Sequence, residues 1–421
     1  MHDRLLCCAG HGVRVRRLGQ DRAGEIRLTR FLRNDKVTPA EMALSAMQRL
    51  SPRCADRHVL AIQDTSVVKS SGGGGLYVHA CIAVDADDGA ILGLAHARFL
   101  KRESGCRALR RSLPTAEKES QRWIDGADAA ARACSKARQV TLIADRESDI
   151  YAAFAQRPQN ADMIVRAAQD RSLDEGPRLF GVVDGLSPFG QTVLDLPAKP
   201  GRPARQARLE VRFMRATLKR PRNGVDEGLP NTLELYLVDV REVDPPAGEN
   251  IHWRLLTTRP VAGLREALEV ADFYRRRWAI EQLFRTLKTQ GFDIEGLRIE
   301  DDVPRSNLVM ATLIAAVTVQ QLVHARDGAD GQGRFRPVTD AFEPGDVVLL
   351  EALCASLEGK TQRQKNPHPV ASLAYAAWVC ARLGGWTGYY GKPGPIVMLE
   401  GWFEFMAAKR GVKAMKAKPD V

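Results

Sequence analysis

"HVLAIQD", residues 58–64, is a short apolar run that stops on a carboxylate, and "VTLIAD", residues 140–145, repeats the pattern further along. Both read as strands by length and β-branched content, so Asp64 and Asp145 are each expected at the carboxyl end of a strand. Between them lie "LYVHACIAVD" (76–85) and "GAILGLAHARFL" (89–100), separated by "ADDG", the signal of a hairpin. A helix, "TAEKESQRWIDGADAAARAC", is predicted from Thr115, with Thr115 as N-cap after Pro114. After residue 145 come a helix over about 148–156 and a strand, "DMIVRAA" (162–168).

The order β-β-β-α-β-α-β with a further helix to follow predicts an α/β fold of the ribonuclease H-like kind. Its mixed five-stranded sheet sets the first and fourth strands side by side, so Asp64 and Asp145 face each other. From 169 to 258 short strands punctuated by Gly and Pro, "FGVVD", "QTVLDL", "RQARLEVRFMRATL", "TLELYLVDV" and "IHWRLLTTR", read as a β-rich insertion. Helices are predicted over 264–290 and about 305–324. The domain reading is a basic N-terminal segment (1–54), the core in two parts (55–168 and 259–326) around the insertion, a linker rich in Gly, Asp and Pro (327–347) and a C-terminal helical module (348–421).

Within 264–290, "YRRRWAIEQLFRTLK" (274–288) carries a stripe. At about 100° per residue, Tyr274, Arg277, Glu281 and Lys288 fall within roughly 60° of one line on a continuous helix. Phe273, Ile280, Leu283, Phe284 and Leu287 lie about a quarter-turn away, on the face such a helix buries. The stripe is therefore expected at the edge of the core, where polar groups meet solvent. A solvated face with an Arg277–Glu281 pair is the plain alternative for the helix alone. An Asp after a strand, taken singly, is more often a cap or turn former. Two carboxylates on neighbouring strands with Glu281 brought up on a helix make a hard-oxygen site for Mg²⁺ or Mn²⁺. Such a site suits phosphodiester chemistry with two ions about 3.5–4 Å apart.

The 421 residues carry 62 Lys and Arg against 51 Asp and Glu, a net charge of +11 that favours a polyanionic partner. Arg14, Arg16, Arg17, Arg22, Arg27, Arg30 and Arg33 crowd the start, and Lys409, Arg410, Lys413, Lys416 and Lys418 the end. Eight cysteines occur without a CxxC pair, so reduced thiols are expected. No apolar run reaches 18 residues, the best being 308–323, and no secretory signal opens the chain. A cytoplasmic, nucleoid-associated protein without membrane span or small-molecule cofactor is expected. "SGGGGL" (71–76) precedes a strand rather than a helix and reads as a flexible turn rather than a phosphate loop. His79 and His252 receive no role.

These segments together resemble the bacterial cut-and-paste DDE transposases of the insertion-sequence-four group, whose signature Y-x2-R-x3-E-x6-K is complete here as Tyr274, Arg277, Glu281 and Lys288. "LAIQDTS" resembles the family's first Asp motif, "EKESQRW" its helix, "IADRESDIY" its second Asp motif and "ARLGGW…LEGW" its C-terminal dimerisation module. The resemblance runs from about residue 24 to about 412. It implies that Asp64, Asp145 and Glu281 hold two Mg²⁺ or Mn²⁺ ions. It further implies that Tyr274, Arg277 and Lys288 grip DNA phosphates, that Arg285 and Arg166 contact DNA, and that Trp253 receives a flipped base. The implied partners are double-stranded DNA, as transposon ends and target, and a second copy of the chain once DNA is bound. Family members usually carry a further N-terminal module that reads the terminal repeats, and "MHDRLLCCAGHGVRVRRLG" does not resemble it. A truncated, inactive or inhibitory derivative that pairs with a full-length transposase is the alternative. Terminal inverted repeats around the gene, and a reading frame extending upstream of Met1, discriminate in favour of the enzyme. A host nuclease of the same fold is disfavoured by the complete signature and Trp253.

Overall fold

The computed structural model describes residues 13, 15–19, 21–69, 75–100, 117–174, 176–198, 203–222, 228–246, 250–289, 291–297, 299, 301–330, 332–389 and 391–416. The strands are β1 (His58–Lys69), β2 (Gly75–Asp85), β3 (Ile91–Leu100), β4 (Gln139–Ala144), β5 (Ala161–Arg166), β6 (Gly190–Leu196), β7 (Arg205–Lys219), β8 (Thr232–Glu242) and β9 (His252–Thr257). The helices are α1 (Val15–Gly19), α2 (Arg22–Leu32), α3 (Pro39–Leu50), α4 (Gln121–Ala133), α5 (Tyr151–Ala155), α6 (Leu179–Asp184), α7 (Leu264–Arg275), α8 (Trp278–Lys288), α9 (Asp302–Ala325), α10 (Val347–Leu357), α11 (Leu373–Leu383) and α12 (Pro395–Lys416). The chain divides into two compact units. One comprises His58–Asp64 and Glu103–Trp278, the other Met1–Arg57, Thr65–Arg102 and Ala279–Val421.

In the first unit the start of β1 pairs in parallel with β4, and β4 in parallel with β5. These strands are apolar runs because parallel strands are covered on both faces. Val59, Leu60, Ala61, Ile62 and Ile143 are wholly buried, and each Leu or Ile so placed contributes about 1.5–3 kcal/mol relative to exposure. The first and fourth strands are thus neighbours, as the sequence order predicts. From β5 the sheet continues antiparallel through β9, β8, β7 and β6, so the strands of 169–258 extend the parallel core strands rather than standing apart from them. Helix α7 packs on β4, β5 and β7 to β9. Beneath it, His58 meets the Phe273 ring edge-on at 5.0 Å, and Nε2 lies 2.9 Å from Thr141 Oγ1. Burial lowers its pKa to about 4, so this histidine is a neutral core residue.

Several sequence readings are corrected. The strand of Asp64 runs on to Lys69, because Thr65, Ser66, Val67 and Val68 keep its β-favouring composition. Helix α4 begins at Gln121, with Ser120 as N-cap, and Thr115 lies outside the described residues. "FGVVD" belongs to helix α6: Leu179 and Val183, four apart, are buried on one face, a helical spacing that a short apolar run conceals. The helix predicted over 264–290 is interrupted. Arg276 N–H is shared between Asp272 O at 3.2 Å and Phe273 O at 3.1 Å, and Arg277 N–H bonds Tyr274 O at 3.0 Å, an i→i−3 bond that marks the end of α7 before α8 begins. "SGGGGL" lies outside the described residues except for Gly75 and Leu76.

In the second unit β2 and β3 form the predicted antiparallel hairpin, whose turn needs the positive φ of Gly89, 80°. Helices α3 and α9 cover β3. Helix α9 is long and apolar enough to cross a membrane by length and composition, yet 83% of that stretch is buried within the protein, so it serves as a core helix. Two of its buried amides donate into the core: Asn307 Nδ2 to Leu32 O and Val37 O, and Gln320 Nε2 to Thr286 Oγ1. The described residues of the basic stretch at the start are largely helical. Asp21 and Thr38 cap α2 and α3, which bury Leu28, Leu32, Ala43, Ala46 and Leu50 and leave Arg22, Arg27, Arg30 and Arg33 exposed. Among the described residues of 327–347 are two short 3₁₀ turns, and Arg334 and Arg336 pair with Asp87, Asp85 and Asp88 at the β2–β3 turn. In "ARLGGW…LEGW" the glycines explain themselves: a Cβ on Gly384 would meet Val397 O at 2.1 Å, and one on Gly401 would meet Cys380 O at 1.6 Å. Helices α11 and α12 therefore cross at backbone contact.

Candidate active site

The parallel register of β1 and β4 is uniform, from His58 opposite Gln139 to Ile62 opposite Ile143. The same offset carried two residues on sets Asp64 level with Asp145, and strand parity puts both on the face of Ile62 and Ile143. At Asp64 the wholly buried run of β1 gives way to half-buried positions. Asp145 has just left β4. Its extended backbone (φ −88°, ψ −165°) lets the side chain accept the Glu147 N–H at 3.0 Å, capping the 3₁₀ turn Arg146–Ser148. Asp145 is thus a cap former, and its position beside β1 is a separate fact that capping does not explain.

A cation already stands at this edge. Arg277 Nη1 is 3.3 Å from Asp64 Oδ2, the two side chains being 15% and 20% exposed. The guanidinium carbon lies 5.9 Å from the Tyr274 ring, and that ring lies 5.7 Å from Trp253 in an edge contact. Tyr274 itself is buried, not on a solvent edge as the stripe predicts, because it closes the contact between α7 and β9. Trp253 is half-buried on β9. Arg166, at the end of β5, donates from Nη2 to His252 O at 2.8 Å and so ties β5 to the residue preceding Trp253. The other signature residues lie beyond the interruption, in the second unit. Glu281 is half-buried in the first turn of α8, where a carboxylate suits the helix dipole, and Arg285 is exposed in the last turn. Lys288 Nζ is 4.0 Å from Glu295 Oε1, which also accepts the Lys69 N–H at 3.2 Å.

Three supporting groups were not apparent from the sequence. Asp149, in "IADRESDIY", is buried and accepts the Ala168 and Gln169 N–H groups and the Arg171 guanidinium, holding the chain just past β5. Arg122 of "EKESQRW" pairs with Glu147 at 2.6 Å, joining that helix to the turn Asp145 caps. His252 Nε2 lies 2.7 Å from Oδ1 of the buried Asp239. All three fall in stretches that the sequence marks out, but nothing in the sequence names these partners or pairs His252 with Asp239.

Among the described residues no group of three His, Cys, Asp or Glu side chains is assembled as a metal site. The donor chemistry on the first unit nevertheless fits a divalent ion. Asp64 and Asp145 follow adjacent parallel strands whose register, extended by two residues, sets them level, and a guanidinium supplies positive charge to Asp64. A mixed α/β sheet with carboxylates so placed, in a chain of strong positive charge, belongs to the class of enzymes that work on nucleic-acid phosphates. Residues 55–318, more than half of the chain, match the family model of the transposase DDE domain. The chain belongs to that family. It is a DDE-type DNA transposase, a nuclease whose substrate is DNA and whose family generally uses divalent metal ions.

Proposed function

We propose that the protein is a cut-and-paste transposase of the insertion-sequence-four group, which nicks the element end, closes it as a hairpin, reopens it and joins it to target DNA. The observation that carries this reading is the parallel register of β1 and β4, which leads on to Asp64 and Asp145, combined with the Asp64–Arg277–Tyr274–Trp253 chain of contacts. Asp64, Asp145 and Glu281 are the carboxylates that hold two Mg²⁺ or Mn²⁺ ions. When bound, such ions activate the attacking water or 3′-hydroxyl and stabilise the leaving oxygen. Arg277, Lys288 and Arg285 bind phosphates by charge, which fixes the DNA end without reading its sequence. Tyr274 backs Trp253 rather than facing solvent, and its hydroxyl is the proposed phosphate contact. Arg166 is the proposed further DNA contact of β5. Two copies of the chain act together on DNA.

The test is Mg²⁺-dependent release of a 3′-hydroxyl at an element end by the wild-type chain and its loss in the carboxylate variants. For Lys288→Ala, a weaker hold on the cleaved end is expected, with a salt slope lower by about 0.9, one phosphate contact. Fluorescence anisotropy from low to moderate salt measures this, and an unchanged slope removes Lys288 from the DNA site. Trp253→Ala is expected to nick the first strand normally but to form hairpins about tenfold more slowly. Extruding a base costs a few kcal/mol, of which aromatic stacking returns about 1–3 kcal/mol. An abasic end should recover most of the loss. Equal losses in nicking and hairpinning, unrelieved by the abasic end, would make Trp253 a packing residue only.

A further inference from the structure

We infer that Arg277 serves two partners in turn, neutralising Asp64 in the metal-free protein and turning to a DNA phosphate when a divalent cation takes Asp64. The inference rests on the reading of Asp64 as a metal ligand and Arg277 as a phosphate contact, and it adds the order and coupling of the two events.

Arg277 and Asp64 make a direct ion pair, 3.3 Å between Nη1 and Oδ2. A metal cation at Asp64 competes with the guanidinium for the carboxylate's charge, and a phosphate competes with Asp64 for the guanidinium. Breaking a largely buried pair is costly when one charge is left bare. Here neither need be, because the cation replaces the guanidinium at Asp64 while the phosphate replaces the carboxylate at Arg277. The side chains, 15% and 20% exposed, are sheltered enough to form a defined contact yet open enough for exchange.

The backbone is suited to such a movement. Arg277 sits at the interruption between α7 and α8, held by the i→i−3 bond to Tyr274 O rather than by a regular helical turn. A turn that interrupts a helix leaves its side chains less fixed by neighbouring helical turns than a regular helix does. The Tyr274 ring, 5.9 Å from the guanidinium carbon, offers a cation-binding face on which the group can pivot without losing all its contacts. By linkage, a metal ion that frees Arg277 for phosphate must gain from DNA the affinity factor that it confers on DNA.

Mn²⁺ binding to the full chain, followed by electron paramagnetic resonance with and without a pre-cleaved DNA end, tests this. Without DNA, Arg277→Ala is expected to bind Mn²⁺ about tenfold more tightly than wild type, within the usual range of coupling factors. Adding the pre-cleaved end should tighten Mn²⁺ binding about tenfold in wild type but hardly at all in Arg277→Ala, with Arg277→Lys between the two. Thermal melts matched between the three proteins exclude a folding effect. Unchanged Mn²⁺ affinity in well-folded Arg277→Ala, or equal enhancement by DNA in both proteins, overturns the inference. Two other outcomes would instead strike the underlying reading: Mn²⁺ binding undiminished in Asp64→Asn, or DNA-end affinity in Mn²⁺ unchanged in Arg277→Ala.

Discussion

Asp145→Asn protein is expected to fold and bind DNA ends as wild type does, yet to cut them in Mg²⁺ at below about one thousandth of the wild-type rate. Asparagine is as good a helix cap as aspartate, so the side chain can still accept the Glu147 N–H that Asp145 accepts at 3.0 Å. What it lacks is the charge. Single electrostatic contacts to a transition state are worth about a hundred- to a thousandfold in rate, and a metal-holding carboxylate supplies at least as much. Alanine is a poorer choice, since it also removes the cap, at about 1 kcal/mol. Equal melting temperatures for wild type and Asp145→Asn, with cleavage abolished only in the variant, would separate the metal role from the cap. Cleavage surviving in Asp145→Asn would leave Asp145 a cap and nothing more.

Four residues later the expected effect is on stability. Asp149→Ala removes a buried carboxylate from Arg171, whose side chain is itself only 5% exposed, and from the Ala168 and Gln169 amides. Stripping a buried cation of its partner costs about 3–5 kcal/mol. At roughly 2–4 °C per kcal/mol for a unit of this size, the melting temperature should fall by about 10 °C. Asp149→Asn should lose less, because its amide oxygen can still accept from the two backbone N–H groups. Differential scanning fluorimetry measures both, and a fall below about 3 °C for the alanine variant would show that the pair is not intact in solution.

The sequence order predicts the adjacency of β1 and β4, and with it the level placement of Asp64 and Asp145, because apolar runs ending in a carboxylate carry both the strand and its terminus. The interruption at Arg276 and Arg277 is not legible in this way. Helical periodicity continues through "YRRRWAIEQL" without Gly or Pro, and the break appears only as a switch from i→i−4 to i→i−3 bonds. For the same reason the stripe of four signature residues predicts a common edge, whereas Tyr274 is buried against Trp253. Helix α6 is not legible in the sequence, because "LFGVV", four apolar residues around a glycine, fits a strand and a helical turn equally well. The partners of Asp149 and of Asp239 are long-range choices made by packing, and no local pattern announces them.

The most direct test of the central claim, that Asp145 holds a metal ion for cutting DNA, exchanges its oxygen ligand for sulfur. Thiolates favour softer cations over Mg²⁺. Asp145→Cys protein, incubated with a DNA end in Mg²⁺ and in Mn²⁺, should cut in Mn²⁺ and fail in Mg²⁺, while wild type cuts in both. Equal cutting by the cysteine variant in the two metals, or no recovery in Mn²⁺ from a protein that still binds the end, would contradict it.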